Sequence, residues 1–345
     1  MTDNYKIEFE TSSIEQLKNK LSDPQRVTLI GHVSPDGDAL GSTLALSLVL
    51  QKMGHTAKVV FPSAFPPGLG FLPGADRVII GRDRPEAAES ALSDTDIIFL
   101  MDFNAPKRVE QLTDALCQSK AYKVMIDHHL HPTKDVDLCF SYPVKAATCH
   151  LLYEMFQALG WERYIDKSVA ECIYTGMSTD TGGFNYNSED PGLYTTISHL
   201  LEHGIEKDRI TSLITRSYSI DKVKLTAHLM ANNMTFYPEY HTAIIRMGKK
   251  EKGMFDYQVG DTEGLVNEPL AAKDIHFSIF LHEQARYTKI SLRSKGEFPV
   301  NEFAHKFFNG GGHRNAAGAE VYAPLKEVNN MVIEAVRLMH PKDDE

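Results

Sequence analysis

The chain of 345 residues is long enough for two domains of ordinary size, or for one large α/β unit with an appendage. Its 42% hydrophobic and 24% charged content is globular and excludes a disordered or fibrous chain. With 46 acidic against 36 basic residues the net charge is −10, which argues against a protein that coats long nucleic acid through a general basic face.

In chain order, "RVTLIGHV" (26–33) reads as a buried strand and "DALGSTLALSLVLQKMG" (38–54) as a helix stopped at Gly54. "TAKVVF" (56–61) predicts a second strand and "DTDIIFLMDF" (94–103) a third. "APKRVEQLTDALCQS" (105–119) predicts an amphipathic helix ahead of the strand "YKVMID" (122–127). Helices are expected over 148–160, with a glycine stop, and over 166–181. This alternation indicates βαβ units and an α/β fold with a mainly parallel, doubly wound sheet. The polar helical stretch 206–234 reads as a connector between a first domain, 1–205, and a second, smaller α/β domain, 235–345. In the second domain 242–247, 274–284 and 287–294 look like strands, 300–308 like a helix, and 325–340 closes as an amphipathic helix.

Cys117, Cys139, Cys149 and Cys172 form no C-x-x-C pair, so a thiolate zinc cluster is not expected. They read as reduced, buried thiols of a cytoplasmic protein. The opening residues show no signal peptide, and no apolar run approaches the ~20 residues of a membrane span.

Acids and imidazoles gather at the ends of the predicted elements. His32, Asp36 and Asp38 follow the first strand, in "GHVSPDGDALGS" (31–42), and Asp102 ends the third. Asp127, His128 and His129 end the 122–127 strand, and Asp180 stands near the end of the 166–181 helix. Loops at the carboxyl ends of parallel strands converge on one crevice, which is the geometric reason to treat these residues as one site. Aspartates with a few imidazoles suit Mn²⁺ or Mg²⁺ better than softer metals. So many acids in one cleft resist common ionisation without cations, and two ions ~3.5–4 Å apart can clamp a phosphate for in-line attack. Gly37 and Pro35 read as shaping a sharp turn, and Asp38 stands where a helix N-cap would. Alone, "PDGD" is the sequence of a surface turn, Asp102 a helix cap and Asp180 the start of a turn; the signal lies in their combination.

The second domain carries "FNGGGHRNAAG". Gly310, Gly311 and Gly312 would let backbone amides approach an anion, and Asn315 could hydrogen-bond a base or phosphate. His313 follows the glycines, and the Arg293 guanidinium offers a fork suited to phosphate. A flexible glycine loop and an exposed strand arginine are the plainer readings of each alone.

The sequence resembles the DHH phosphoesterase superfamily, whose motifs stand here as "HVSPDGDALGS", "MDF", "IDHHLHP" and "STDTGGF". The second domain is similar to the DHH-associated domain through "GLVNEPL" (264–270), "KISLRSK" (289–295) and "FNGGGHRNAAGAE" (308–320). The likeness covers essentially the whole chain, in the short two-domain arrangement of the bacterial nanoRNase and pAp phosphatase group. It implies one metal ion on His32, Asp36 and Asp102 and another on Asp38, Asp102, His128 and Asp180, with Asp102 as the bridge. Asp127 would orient His128, and His129 would face the scissile phosphate. The glycine segment, His313 and Arg293 would bind the far end of the substrate. The implied activity is hydrolysis of short oligoribonucleotides and of 3′,5′-bisphosphorylated adenosine (pAp) by two-metal-activated hydroxide attack, with two Mn²⁺ per site or Mg²⁺ in their place. Cleavage of cyclic dinucleotides or their linear products is the alternative. A non-catalytic nucleotide sensor would have lost a metal ligand, and none is lost. The expected partners are small nucleotide substrates, not long duplexes or membranes, and relatives suggest a homodimer.

Overall fold

In the computed structural model, which describes residues 5–215 and 219–339, the chain divides into two units, 1–217 and 218–345, each with its own core. The first unit begins with α1 (Thr11–Lys20), β1 (Arg26–Ile30), α2 (Gly37–Lys52), β2 (Thr56–Phe61), β3 (Ile79–Ile80), α3 (Pro85–Ser93) and β4 (Ile97–Met101). It continues with α4 (Thr113–Gln118), β5 (Tyr122–Asp127), β6 (Leu138–Ser141), α5 (Thr148–Leu159), α6 (Lys167–Asp180), α7 (Pro191–Glu202) and α8 (Lys207–Thr215).

All six strands pair in parallel, in the order β3-β2-β1-β4-β5-β6. Their apolar runs are continuous because helices cover both faces of such a sheet. Leu29, Phe99 and Val124 enter one core cluster, while their neighbours Ile30, Leu100 and Met125 enter another. Strand order reverses between β1 and β4. A crevice therefore opens beyond the carboxyl ends of these two strands, where neighbouring connections leave toward opposite faces.

The predicted helix over 105–119 is broken. Pro106–Leu112 forms a 3-10 turn in which Glu110 adopts φ 44°, and only Thr113–Gln118 is α-helical. A residue with positive φ cannot continue a right-handed helix, so the chain kinks there. The short strands β3 and β6 and the helices α1, α3 and α7 were not anticipated from sequence. The cysteines are all free, but only Cys149 and Cys172 are buried; Cys117 and Cys139 are exposed.

The second unit contains α9 (Ile220–Asn232), β7 (Met234–Tyr237), β8 (Thr242–Met247), α10 (Lys249–Met254), β9 (Phe277–Glu283) and β10 (Thr288–Ser294). It ends with α11 (Val300–Phe308), β11 (Gly311–His313), β12 (Ala316–Val321) and α12 (Leu325–Met339). The sheet order is β11-β12-β10-β9-β8-β7, antiparallel except for the parallel pair β8 and β9. Of the segment 206–234, α8 falls in the first unit and α9 in the second, while 216–218 and residue 340 of the closing helix lie outside the described residues. Among the described residues no helix is long and apolar enough to cross a membrane.

Candidate active site

The crevice beyond β1 and β4 is lined by polar side chains that the two strands deliver. After β1 comes His32, whose Nδ1 lies 2.8 Å from the Val33 carbonyl. That contact turns Nε2 toward Asp102, 3.6 Å from its Oδ2. Asp36 is the N-cap of α2, its Oδ1 accepting from the amides of Asp38 and Ala39, both at 3.0 Å. This corrects the expected cap, since Asp38 stands inside the first turn and its carboxylate is left for the site. Gly37 is needed for closeness and not for a turn: a Cβ there would meet Thr179 Oγ1 at 2.3 Å. The glycine thus lets the start of α2 press against the end of α6, which carries Asp180.

Asp102 follows β4 with φ 62°, a left-handed conformation that aspartate tolerates better than most residues. Its backbone amide still bonds Ile126 in β5 at 3.0 Å, so the bend is anchored to the sheet. Its Oδ1 lies 3.7 Å from His128 Nε2. His128 Nε2 is also 3.9 Å from Asp38 Oδ2 and 3.5 Å from Asp180 Oδ2. Ligating atoms of His32, Asp36 and Asp102 lie within 4.8 Å of one another, and so do those of Asp38, Asp102 and His128. The structure therefore brings both groups around Asp102, with Asp180 on the more open side beside His128.

Asp127 does not orient His128. Its Oδ1 bonds His129 Nδ1 at 2.7 Å, and His128 Nδ1 instead faces the Lys145 carbonyl at 3.0 Å. β5 ends at Asp127, and the bend that follows it brings the His129 ring back to the Asp127 carboxylate. His129 Nδ1 is 3.8 Å from Asp102 Oδ1.

Three further contacts were missed from sequence. The Thr148 and Cys149 amides donate to the two oxygens of Asp38 at 2.6 and 2.9 Å, and the Thr148 hydroxyl donates to Asp102 Oδ1 at 2.8 Å. The start of α5 was predicted at Thr148, and the unpaired amides of a helix N-terminus attract carboxylates. That was the available signal.

Burial pushes the His32 imidazole below its ordinary value. Burial would also lower His128, but the charges of Asp180 and Asp38 outweigh it and raise the ring. Burial opposes ionisation of Asp36, yet His32 and the Ala39 amide hold it below the usual carboxylate range. Asp38 is raised, by burial and the Asp36 charge against the pull of His128. Asp102 is raised well above the range, first by burial and then by the charges of Asp38, Asp36, Asp180 and Asp127. Such a set is electrostatically incomplete and complementary to cations. The donors also fit divalent metal: carboxylate oxygens plus imidazoles whose Nδ1 atoms are tied to backbone carbonyls, with Nε2 directed inward.

In the second unit, Arg293 on β10 and His313 on β11 are both in register with Ala316 on β12. Residues directly opposite in antiparallel strands share a face, so both cationic-type side chains stand on one side of the sheet with only a methyl group between. The glycine segment is a strand edge, not a loop. Gly312 has φ 143° and a Cβ there would meet the Ala316 carbonyl at 2.4 Å, while a Cβ at Gly310 would meet the Gly318 carbonyl at 2.2 Å; of the three only Gly311 has open space. Asn315 donates to Ser294 Oγ at 2.9 Å and to the Gly296 carbonyl at 3.0 Å, which ties the β11–β12 turn to the end of β10.

Residues 26–177 match the DHH family, N-terminal domain, and residues 247–338 match the DHHA1 domain. The crystal structure of an exopolyphosphatase-related protein from Bacteroides fragilis is 39% identical, with a TM-score of 0.92 over 96% of this chain and 97% of that one. The bifunctional oligoribonuclease and PAP phosphatase NrnA of Thermus thermophilus is 28% identical over 324 residues, 89% of this chain and 87% of that protein. The protein of the same name from Bacillus subtilis is 26% identical over 301 residues, 86% of this chain and 90% of that protein.

Proposed function

The chain belongs to the DHH phosphoesterase superfamily, in its nanoRNase and pAp phosphatase group, and from that premise we propose that it hydrolyses short oligoribonucleotides and pAp with two divalent metal ions, Mn²⁺ or Mg²⁺ in its place. The observation that carries this reading is the meeting of His32, Asp36, Asp38, Asp102 and His128 at the point where strand order reverses. His32, Asp36 and Asp102 would hold one ion, and Asp38, Asp102, His128 and Asp180 the other. Divalent ions held there would polarise a phosphoryl oxygen and acidify water at neutral pH.

The chain's own residues prepare that chemistry. The Thr148 hydroxyl holds the Asp102 carboxylate, which serves both ligand groups, and the first amides of α5 fix Asp38 so that neither acid must reorganise. Asp127 fixes the His129 ring, which we assign to the scissile phosphate as a hydrogen-bonding partner. Arg293 and His313, on one face of the second sheet, we assign to the non-reacting end of the nucleotide, with the Gly311 amide as a third contact. Gly310, Gly312 and Asn315 support this face by shaping the strand pair. The acidic net charge of −10 supports small substrates over long polymers, and the four free cysteines support a cytoplasmic setting.

The test is a product profile on 5′-labelled RNA from dinucleotide to pentanucleotide, beside pAp and a cyclic dinucleotide, with Mn²⁺ and with chelator. Release of mononucleotides from the short RNAs and of phosphate from pAp, abolished by chelator, is the expected result. Turnover of the cyclic dinucleotide alone would replace this reading with a cyclic-dinucleotide phosphodiesterase.

A further inference from the structure

Behind His128 lies a second group of charged side chains that the proposed reaction does not use. Lys145, on the connection from β6 to α5, is 2% exposed. Its Nζ lies 2.7 Å from Glu154 Oε1 on α5 and 3.3 Å from Asp190 Oδ2. Asp190 also caps α7 through the Gly192 amide. His150, fully buried, has Nε2 3.4 Å from Glu154 Oε1 and Nδ1 3.9 Å from Asp190 Oδ2. Burial, reinforced by the charge of Lys145, pushes this imidazole down to about 4, so it is neutral in the fold. His150, Glu154 and Asp190 have the spacing of metal ligands, but the Lys145 ammonium already stands at both acids. The cluster contains its own cation.

The other end of Lys145 reaches the candidate active site. Its carbonyl faces His128 Nδ1 at 3.0 Å, and its amide bonds the Tyr142 carbonyl at 3.0 Å. Tyr142 in turn bonds Asp127 through its amide at 3.0 Å. Three and four residues onward, Thr148 and Cys149 hold Asp38, and Thr148 also holds Asp102. The segment 145–149 thus orients three of the side chains assigned to metal, and Lys145 is where it is tied down.

We propose that Lys145 is a positioning residue: its ammonium, clamped between Glu154 and Asp190, anchors the 145–149 segment so that its carbonyl keeps His128 Nε2 directed at Asp38, Asp102 and Asp180. The proposal rests on the metal-site reading above. Without the anchor the carbonyl could drift, and His128 could rotate or change tautomer. Loss of a group that touches a metal ligand, as the Lys145 carbonyl touches His128, typically changes metal affinity by about 10–100-fold, and displacing that carbonyl is expected to act in the same way.

Lys145→Met alone would strand two partly buried carboxylates and is expected to damage folding. The decisive variant is therefore Lys145→Met with Glu154→Gln and Asp190→Asn, which removes all three charges, keeps side-chain size and retains an oxygen able to cap α7. Free Mn²⁺ is measured by electron paramagnetic resonance during titration of the full-length wild type and of this triple variant, alongside a thermal melt. The expected result is a cooperatively folded variant whose Mn²⁺ affinity is lower by about 10–100-fold, with kcat for pAp reduced more than KM is raised. Wild-type affinity in the folded variant would overturn the positioning role. A variant that does not fold would overturn it too, by making the network a support of the whole unit. A wild type that takes up no Mn²⁺ would sink the metal-site reading itself, an outcome distinct from both.

Discussion

Two groups of carboxylates and imidazoles lie in the first unit, linked through the backbone of Lys145, and they meet the same electrostatic problem differently. In the group formed by Glu154, Asp190 and His150, a lysine ammonium sits between the acids, and the imidazole stays neutral. In the group around Asp102, burial first and then the charges of four other aspartates drive its carboxyl well above the ordinary range. The first group offsets part of its negative charge with a covalent part of the chain, as a structural cluster does. The second leaves negative charge to be met by something that arrives and leaves. Identical residue types therefore do not by themselves mark a metal site; on the reading proposed above, the lysine held between the acids is what sets the Lys145 group apart.

Five substitutions, in four comparisons, can break or sharpen this contrast. The largest effect is expected from Asp102→Ala, which removes the carboxylate common to both ligand groups. Loss of several kcal/mol of charge stabilisation corresponds to about 10³-fold or more in kcat, with a thermal melt showing the fold retained. Turnover near wild type would remove Asp102 from the bridging role.

Next comes Lys145→Met, which should lower unfolding free energy by about 3–5 kcal/mol, the usual result of leaving a buried acid without its partner. Denaturant unfolding measures it. A loss below about 1 kcal/mol would mean that the ion pairs behave as surface contacts.

A smaller effect follows from His150. Its folded value is pushed down to about 4 from an ordinary 6.5, so below that window's upper end the unfolded chain binds the proton more readily. Stability should thus fall as pH drops from 6.5 to 4, by at most about 3 kcal/mol from this residue. Comparing wild type with His150→Gln at both ends of the range isolates the contribution; parallel pH curves would contradict it.

The smallest effect has the opposite sign. Asp102→Asn should raise the melting temperature of the metal-free protein, because it removes one charge from a repelling set, whereas Asp190→Asn, which takes one acid from the buried Lys145, should lower it. In saturating Mn²⁺ the gain at Asp102 should reverse. Equal responses of the two groups to neutralisation would erase the distinction between them.

Much of the Asp102 group was legible in the sequence. Buried parallel strands read as unbroken apolar runs, so an abrupt change to His, Asp and His at their ends stands out even without knowledge of pairing. Which ring a carboxylate touches was not legible: Asp127 and His128 are neighbours in sequence, but the bend after β5 brings His129 to Asp127. The Lys145 group was invisible because Lys145, His150, Glu154 and Asp190 follow no short motif and become a unit only when α5 and α7 pack together. The glycine segment was misjudged for a related reason. Glycines carry no alternation of side chains, so nothing marked Gly311–His313 as a strand. The helix over 105–119 failed at Glu110, whose positive φ no helical periodicity forecasts.

The most direct test of the central claim is anomalous diffraction from crystals of the wild-type protein grown with Mn²⁺, collected at the manganese edge. Two anomalous peaks are predicted, one among His32, Asp36 and Asp102 and one among Asp38, Asp102, His128 and Asp180, with no peak among His150, Glu154 and Asp190. Manganese density missing from the Asp102 group, or found beside Lys145 instead, would contradict the account.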